Sequence, residues 1–132
     1  MITLTFQGEY SYNPQPLAIF PVRILTPSGA PYMIQAVLDT GAWHSVFSHV
    51  HAQSLGISDI TSGTPIPLVA ADGVRARGYA HPVTIEFLGR RMTVPIGFCP
   101  DWPADMPNLL GMRGFFDKIL VAFEHQREKM YF

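Results

Sequence analysis

The chain has 132 residues, of which 48% are hydrophobic and 14% charged, and its net charge is −1. That composition excludes a disordered chain, and nine Lys and Arg against ten Asp and Glu leave no basic face for nucleic acid. A small domain this apolar and this lightly charged is expected to cover part of its surface with a second copy of itself.

Residues 1–6 carry no basic stretch and no continuous apolar run, so they do not read as a targeting segment. No stretch approaches the roughly 18 apolar residues of a membrane helix. A single cysteine, Cys99, makes no disulfide within the chain. The expected setting is the cytoplasm, with no membrane partner. Eleven Gly and twelve Pro cut the chain into short pieces, most of which alternate apolar and polar residues with the period of a half-buried strand.

Residues 2–6 alternate in this way and predict a first strand, and residues 17–25 a second, in which Pro21 marks an edge or a bulge. Residues 31–38 predict a strand that runs directly into Asp39-Thr40-Gly41, followed by a short one at Val46-Phe47. Ser48 and Gly56 bracket a short helix over residues 49–55. Residues 65–71 and 74–79 predict a hairpin about Asp72-Gly73. Residues 83–87 and 91–97 predict another about Leu88-Gly89. The proline-bearing residues 99–108 read as an irregular loop. Residues 112–117 predict one or two helical turns, residues 118–124 and 129–132 the last strands, and residues 125–128 the turn between them. The sum is one all-β domain over residues 1–132, a closed barrel or sandwich with one or two short helices.

Chemistry concentrates at Ala36-Val37-Leu38-Asp39-Thr40-Gly41-Ala42. A carboxylate placed after three apolar strand residues is expensive to bury without partners. Thr40 can supply a hydroxyl, and Gly41 lets its backbone N–H approach a carboxylate oxygen closely. A strand-ending turn would use the same three residue types, so the tripeptide alone leaves turn and active site equally open.

The wider pattern resembles the retropepsin-like aspartic proteases, the single-domain relatives of pepsin and the retroviral proteases, and among them the bacterial members. The resemblance runs from about Pro16 to Phe132. It is carried by Val37-Leu38-Asp39-Thr40-Gly41-Ala42, by the late Leu109-Leu110-Gly111, and by Ala70-Ala71-Asp72-Gly73 where the flap tip of the family falls. It implies a closed barrel acting as a homodimer, with no cofactor and no metal, that hydrolyses peptide or protein substrates. Such enzymes use two carboxylates sharing one proton. One Asp-Thr-Gly per chain makes the second carboxylate Asp39 of another copy.

By the same resemblance Asp39 is catalytic, Thr40 braces the two loops across the axis, and the Gly41 N–H holds the carboxylate. Ala42 stands where pepsin-like enzymes have Ser, which implies a working pH above pepsin's. Ala70, Ala71, Asp72 and Gly73 would close over an extended peptide, and His44 would lie at the cleft. The ion-pair positions that retroviral enzymes fill with Asp and Arg are here Trp43 and Met112. The rival reading is a non-catalytic dimerisation or peptide-binding module of the same fold. His44, His49 and His51 lack the Cys or carboxylate companions of a metal site, and Cys99 lacks a base.

Overall fold

A computed structural model describes residues 1–12 and 17–132. Pro16, where the resemblance begins, lies outside the described residues. Ten strands are found among those described: β1 Glu9–Ser11, β2 Ile19–Leu25, β3 Pro31–Leu38, β4 Ser45–Val46, β5 Thr64–Val69, β6 Arg75–Phe87, β7 Arg90–Phe98, β8 Asn108–Leu110, β9 Ala122–Glu124 and β10 Lys129–Tyr131. No helix among the described residues is long and apolar enough to cross a membrane.

Six strands form a closed ring. The order β2-β3-β8-β4-β7-β6 returns to its start because β6 also pairs with β2, and β5 hangs from β6 as the outer arm of a hairpin. Closure follows from alternation. Val22 and Ile24 of β2, Ile34, Ala36 and Leu38 of β3, Val83, Ile85 and Phe87 of β6, and Val94, Ile96 and Phe98 of β7 all point inward and are buried. Phe87 sits among three rings, with centroids 5.0 Å from Phe20, 5.2 Å from Phe115 and 4.9 Å from Phe132. Phe132 and Met130 bring the second sheet, β1-β10-β9, onto the same core.

Prolines sit where ladders leave room. Pro21 lies on the part of β2 that pairs with β3 alone, since β6 reaches only Arg23–Leu25, so it occupies the edge its sequence demands. Pro82 of β6 faces Pro95 of β7, a pairing possible only where neither residue must donate to the ladder. Residues 75–79 and 83–87 thus belong to one 13-residue strand and not to two, and Val74 of the expected strand lies just outside it. The Leu88-Gly89 turn has both residues in the left-handed region (φ 50° and 73°), the twist a two-residue hairpin requires.

Four expectations are corrected. Residues 2–6 form no strand: Ile2 and Leu4 are exposed, and β1 lies further on. Their alternation is real, but no described strand pairs with them. Residues 49–55 form two separate 3-10 turns, His49–His51 and Gln53–Leu55, because Ser48 does not cap them; its hydroxyl donates to Ala104 O at 2.7 Å. Gly56 does close the segment in the left-handed region, at φ 81°. Over Met112–Phe116 the path is not helical, since Arg113 is extended and Gly114 has φ 89°. The last predicted strand before the C-terminal hairpin shrinks to β9, because Lys118 and Ile119 turn back to donate to Phe115 O.

Candidate active site

Asp39 follows the last residue of β3, and its half-buried position is set by backbone contacts on two sides. β3 and β8 run parallel with Val37 opposite Leu109 and Leu38 opposite Leu110, and the Asp39 N–H donates to Leu110 O at 3.0 Å. The next residues then turn. Ala42 N–H donates to Asp39 O at 3.2 Å, and the Gly41 N–H reaches the Asp39 carboxylate, donating to Oδ1 at 2.9 Å. A Cβ on Gly41 would stand 3.2 Å from that oxygen, so a larger residue here would push the carboxylate by a few tenths of an ångström. An N–H held this close fixes the orientation of the carboxylate.

The late Leu-Leu-Gly clamps this loop from behind. Met112 N–H donates to Ala42 O at 2.8 Å and Arg113 N–H to Trp43 O at 2.9 Å. These two bonds tie the segment after Gly111 to the carboxylate loop, and the path turns irregular at the extended Arg113 and the left-handed Gly114. A Cβ on Gly111 would meet Ala42 O at 2.5 Å and His44 O at 2.7 Å, so the two segments touch backbone to backbone. Gly114 performs a second close approach, with Val94 and Pro95 side chains within 2.8 Å of where its Cβ would be.

Two supporting residues escaped the sequence reading. Ser45 is buried; its hydroxyl accepts from Gly111 N–H at 3.0 Å and donates to Arg113 O at 3.3 Å, pinning both sides of the clamp. Asn108 accepts from Ser48 N–H at 2.8 Å and donates to Gln35 O at 3.0 Å, with His51 Nε2 at 3.4 Å. The signal available was a small polar residue inside an apolar strand in one case and directly before Leu-Leu-Gly in the other.

The other expected residues are distributed as follows. Thr40 is exposed and borders a 450 Å³ groove together with Met112 and Leu120. Trp43 is 65% exposed, Leu120 59% and Met112 38%, an apolar rim around the carboxylate loop. Ala70, Ala71, Asp72 and Gly73 form the exposed tip of the β5–β6 hairpin. Ala70 N–H donates to Val74 O at 2.9 Å, Gly73 lies at φ 84°, and Asp72 Oδ1 accepts from Val74 N–H at 2.9 Å. This is a three-residue loop closed by a left-handed glycine. Its hydrogen bonds are all internal to the hairpin.

His44 is half-buried and lines a 280 Å³ pocket with Arg113, Ile66 and His81. Burial, and then the charge of Arg113, hold its imidazole below the usual histidine range, so it is neutral at pH 7. Among the described residues no group of three or more His, Cys, Asp or Glu is placed to hold a metal ion. Cys99 is fully buried.

No protein-family model matches the chain, and no curated protein is significantly similar to it. Solved structures are similar. A retropepsin-like aspartic protease from Rickettsia conorii aligns over 95% of this chain and 98% of its own, with a TM-score of 0.63 and 17% identity. EIAV protease, solved with the inhibitor HBY-793, aligns over 77% of this chain and 88% of its own, with a TM-score of 0.54 and 23% identity. The chain has the retropepsin-like fold.

Proposed function

We propose that this chain is an aspartic endopeptidase whose active site is completed by a second copy. The observation that carries this reading is the Asp39 carboxylate: half-buried, held by the Gly41 N–H at 2.9 Å, and set in a loop clamped by Leu110 and Gly111. A turn aspartate needs no such clamp. One carboxylate cannot serve as both base and acid, and the fold supplies one per chain, so the working site is an Asp39–Asp39 dyad on a two-fold axis.

The dyad shares one proton at a separation of about 3 Å. The ionised Asp39 takes a proton from water as its oxygen bonds to the amide carbon, and the protonated Asp39 gives its proton to the carbonyl oxygen. Collapse of the resulting diol breaks the C–N bond as the amide nitrogen takes up a proton. A carboxylic acid and an amine leave, and the dyad again holds one proton. Thr40 braces the paired loops. Ala70 to Gly73 close over the peptide and exclude water. The peptide lies extended and pairs with backbone as an added strand.

Dimer contact is assigned to the exposed apolar side chains Trp43, Met112 and Leu120 near the carboxylate loop. A reducing cytoplasm suits a protein whose single cysteine is buried and unpaired. The test is peptide cleavage by the wild-type chain and by Asp39→Asn, alongside sedimentation. The expected result is a dimer whose turnover falls by roughly 10²–10⁴-fold or more in the variant and is blocked by a statine-type inhibitor. A strictly monomeric chain, or undiminished cleavage by Asp39→Asn, overturns the reading. Peptide binding without turnover would identify the non-catalytic module instead.

A further inference from the structure

Ion pairs are unevenly placed. Among the described residues Glu86 takes Arg23 and Arg91, Glu124 takes Arg127, and Glu9 takes Lys129. Arg75, Arg77, Arg90, Arg113 and Lys118 take part in no ion pair among the described residues. Arg90 and Lys118 lie together at one cavity, while Arg75, Arg77 and Arg113 border two others that adjoin. One is the 280 Å³ pocket where Arg113 meets His44; the other is a 660 Å³ groove where Arg75 and Arg77 face Pro65 and Pro67. Ile66 lines both, so they adjoin, and neither is lined by an Asp or Glu.

The pocket is placed by the same backbone that places Asp39. His44 lies five residues past Asp39 on its loop, and Arg113 follows Gly111 and donates its N–H to Trp43 O at 2.9 Å. Ile66, Pro82 and Pro95 form the apolar walls of this pocket, and the exposed Arg113 stands at its border as a cation open to an incoming anion. The neutral His44 ring can add one N–H donor. Asp59, in charge contact with His81 at the pocket wall, is occupied by Thr61, whose N–H and hydroxyl donate to its Oδ1 at 2.9 and 2.7 Å. A guanidinium fork without a carboxylate of its own chain is complementary to a planar carboxylate from outside.

We infer that the peptide this site accepts is acidic, and that a Glu or Asp side chain of the substrate seats in the His44–Arg113 pocket against the Arg113 guanidinium. This rests on the peptidase reading, which makes the cleft a peptide site. It adds a substrate class set by residues that lie outside the dyad.

The experiment compares a cleavable peptide bearing Glu with its Gln counterpart at each position flanking the scissile bond. A charge-assisted bond predicts a Glu over Gln ratio in kcat/KM of roughly tenfold to a hundredfold at one position, falling as salt rises. Arg113→Met brings that ratio toward one, and Arg113→Glu inverts it in favour of Lys. Equal cleavage of Glu and Gln peptides at every position overturns the inference and leaves the peptidase reading standing. If no peptide is cleaved, the peptidase reading fails, and fluorescence anisotropy with the same pairs still decides. Tighter binding of the Glu peptide that is lost in Arg113→Met supports the pocket; equal or absent binding overturns it.

Discussion

Gly111→Ala probes the contact on which the position of Asp39 depends. Gly111 has φ −110° and ψ −167°, extended backbone open to any residue, so its conformation does not demand glycine. Space does. The added Cβ would lie 2.5 Å from Ala42 O, 2.7 Å from His44 O and 3.0 Å from His44 C, all backbone atoms that cannot swing aside. Ordinary contact is about 3.5 Å, so the loop after Asp39 must retreat by about 1 Å. Forcing bulk into a packed contact costs about 1–3 kcal/mol, or about 3–15 °C in Tm at this chain length. A displacement of about 1 Å in a catalytic group costs on the order of 100-fold in rate.

Differential scanning calorimetry and peptide turnover measure both effects. Ser45→Ala is the companion variant: it removes the hydroxyl that accepts from Gly111 N–H without adding bulk, leaving a buried donor unpaired at a cost of about 1–3 kcal/mol. A Gly111→Ala protein with wild-type Tm and wild-type turnover would refute the claim that backbone contact at this point positions the carboxylate.

Trp43→Asp places a charge in the exposed apolar rim and is expected to weaken the dimer by roughly 30-fold or more, read by sedimentation over a concentration series; an unchanged dissociation constant would move the interface elsewhere. Phe115→Ala empties a fully buried position against Phe87 and Phe116 and should cost about 3–5 kcal/mol in urea unfolding, while a loss under about 1 kcal/mol would mean the barrel floor repacks. Burial holds the His51 imidazole below its usual range. The unfolded chain therefore takes up a proton first as pH falls, and stability is lost from just above pH 6.5 downward until the folded-state value is passed. His51→Gln should flatten that part of the stability profile, followed by thermal unfolding between about pH 5 and pH 8; a profile of unchanged slope would assign it to other groups.

Much of the barrel was legible because strand alternation is a local property. Residues 31–38 and 91–97 name their inward faces without reference to any partner, and Pro21 and the Leu88-Gly89 turn declare an edge and a reversal through their own backbone limits. Asp39-Thr40-Gly41 likewise encodes its internal bond, because a carboxylate and an N–H two residues on meet within one turn.

What remained hidden depends on atoms distant in sequence. Residues 2–6 have a strand's pattern, but a strand exists only with a partner in space, and no described strand pairs with them. Residues 112–117 have helix-compatible composition, yet Arg113 is extended and Gly114 left-handed where the segment is held to Ala42 and Trp43, some 70 positions earlier, and packs on Val94 and Pro95. Ser45 and Asn108 become structural bolts, and Arg113 a lone cation beside His44, only once β3, β4 and β8 lie side by side. Sequence by itself determined the strand faces, the turns and the carboxylate with its own N–H. The tertiary structure alone decided which donors reach it from behind and which charges go unpaired around it, because a hydrogen bond or an ion pair depends on separations in space that chain spacing does not specify.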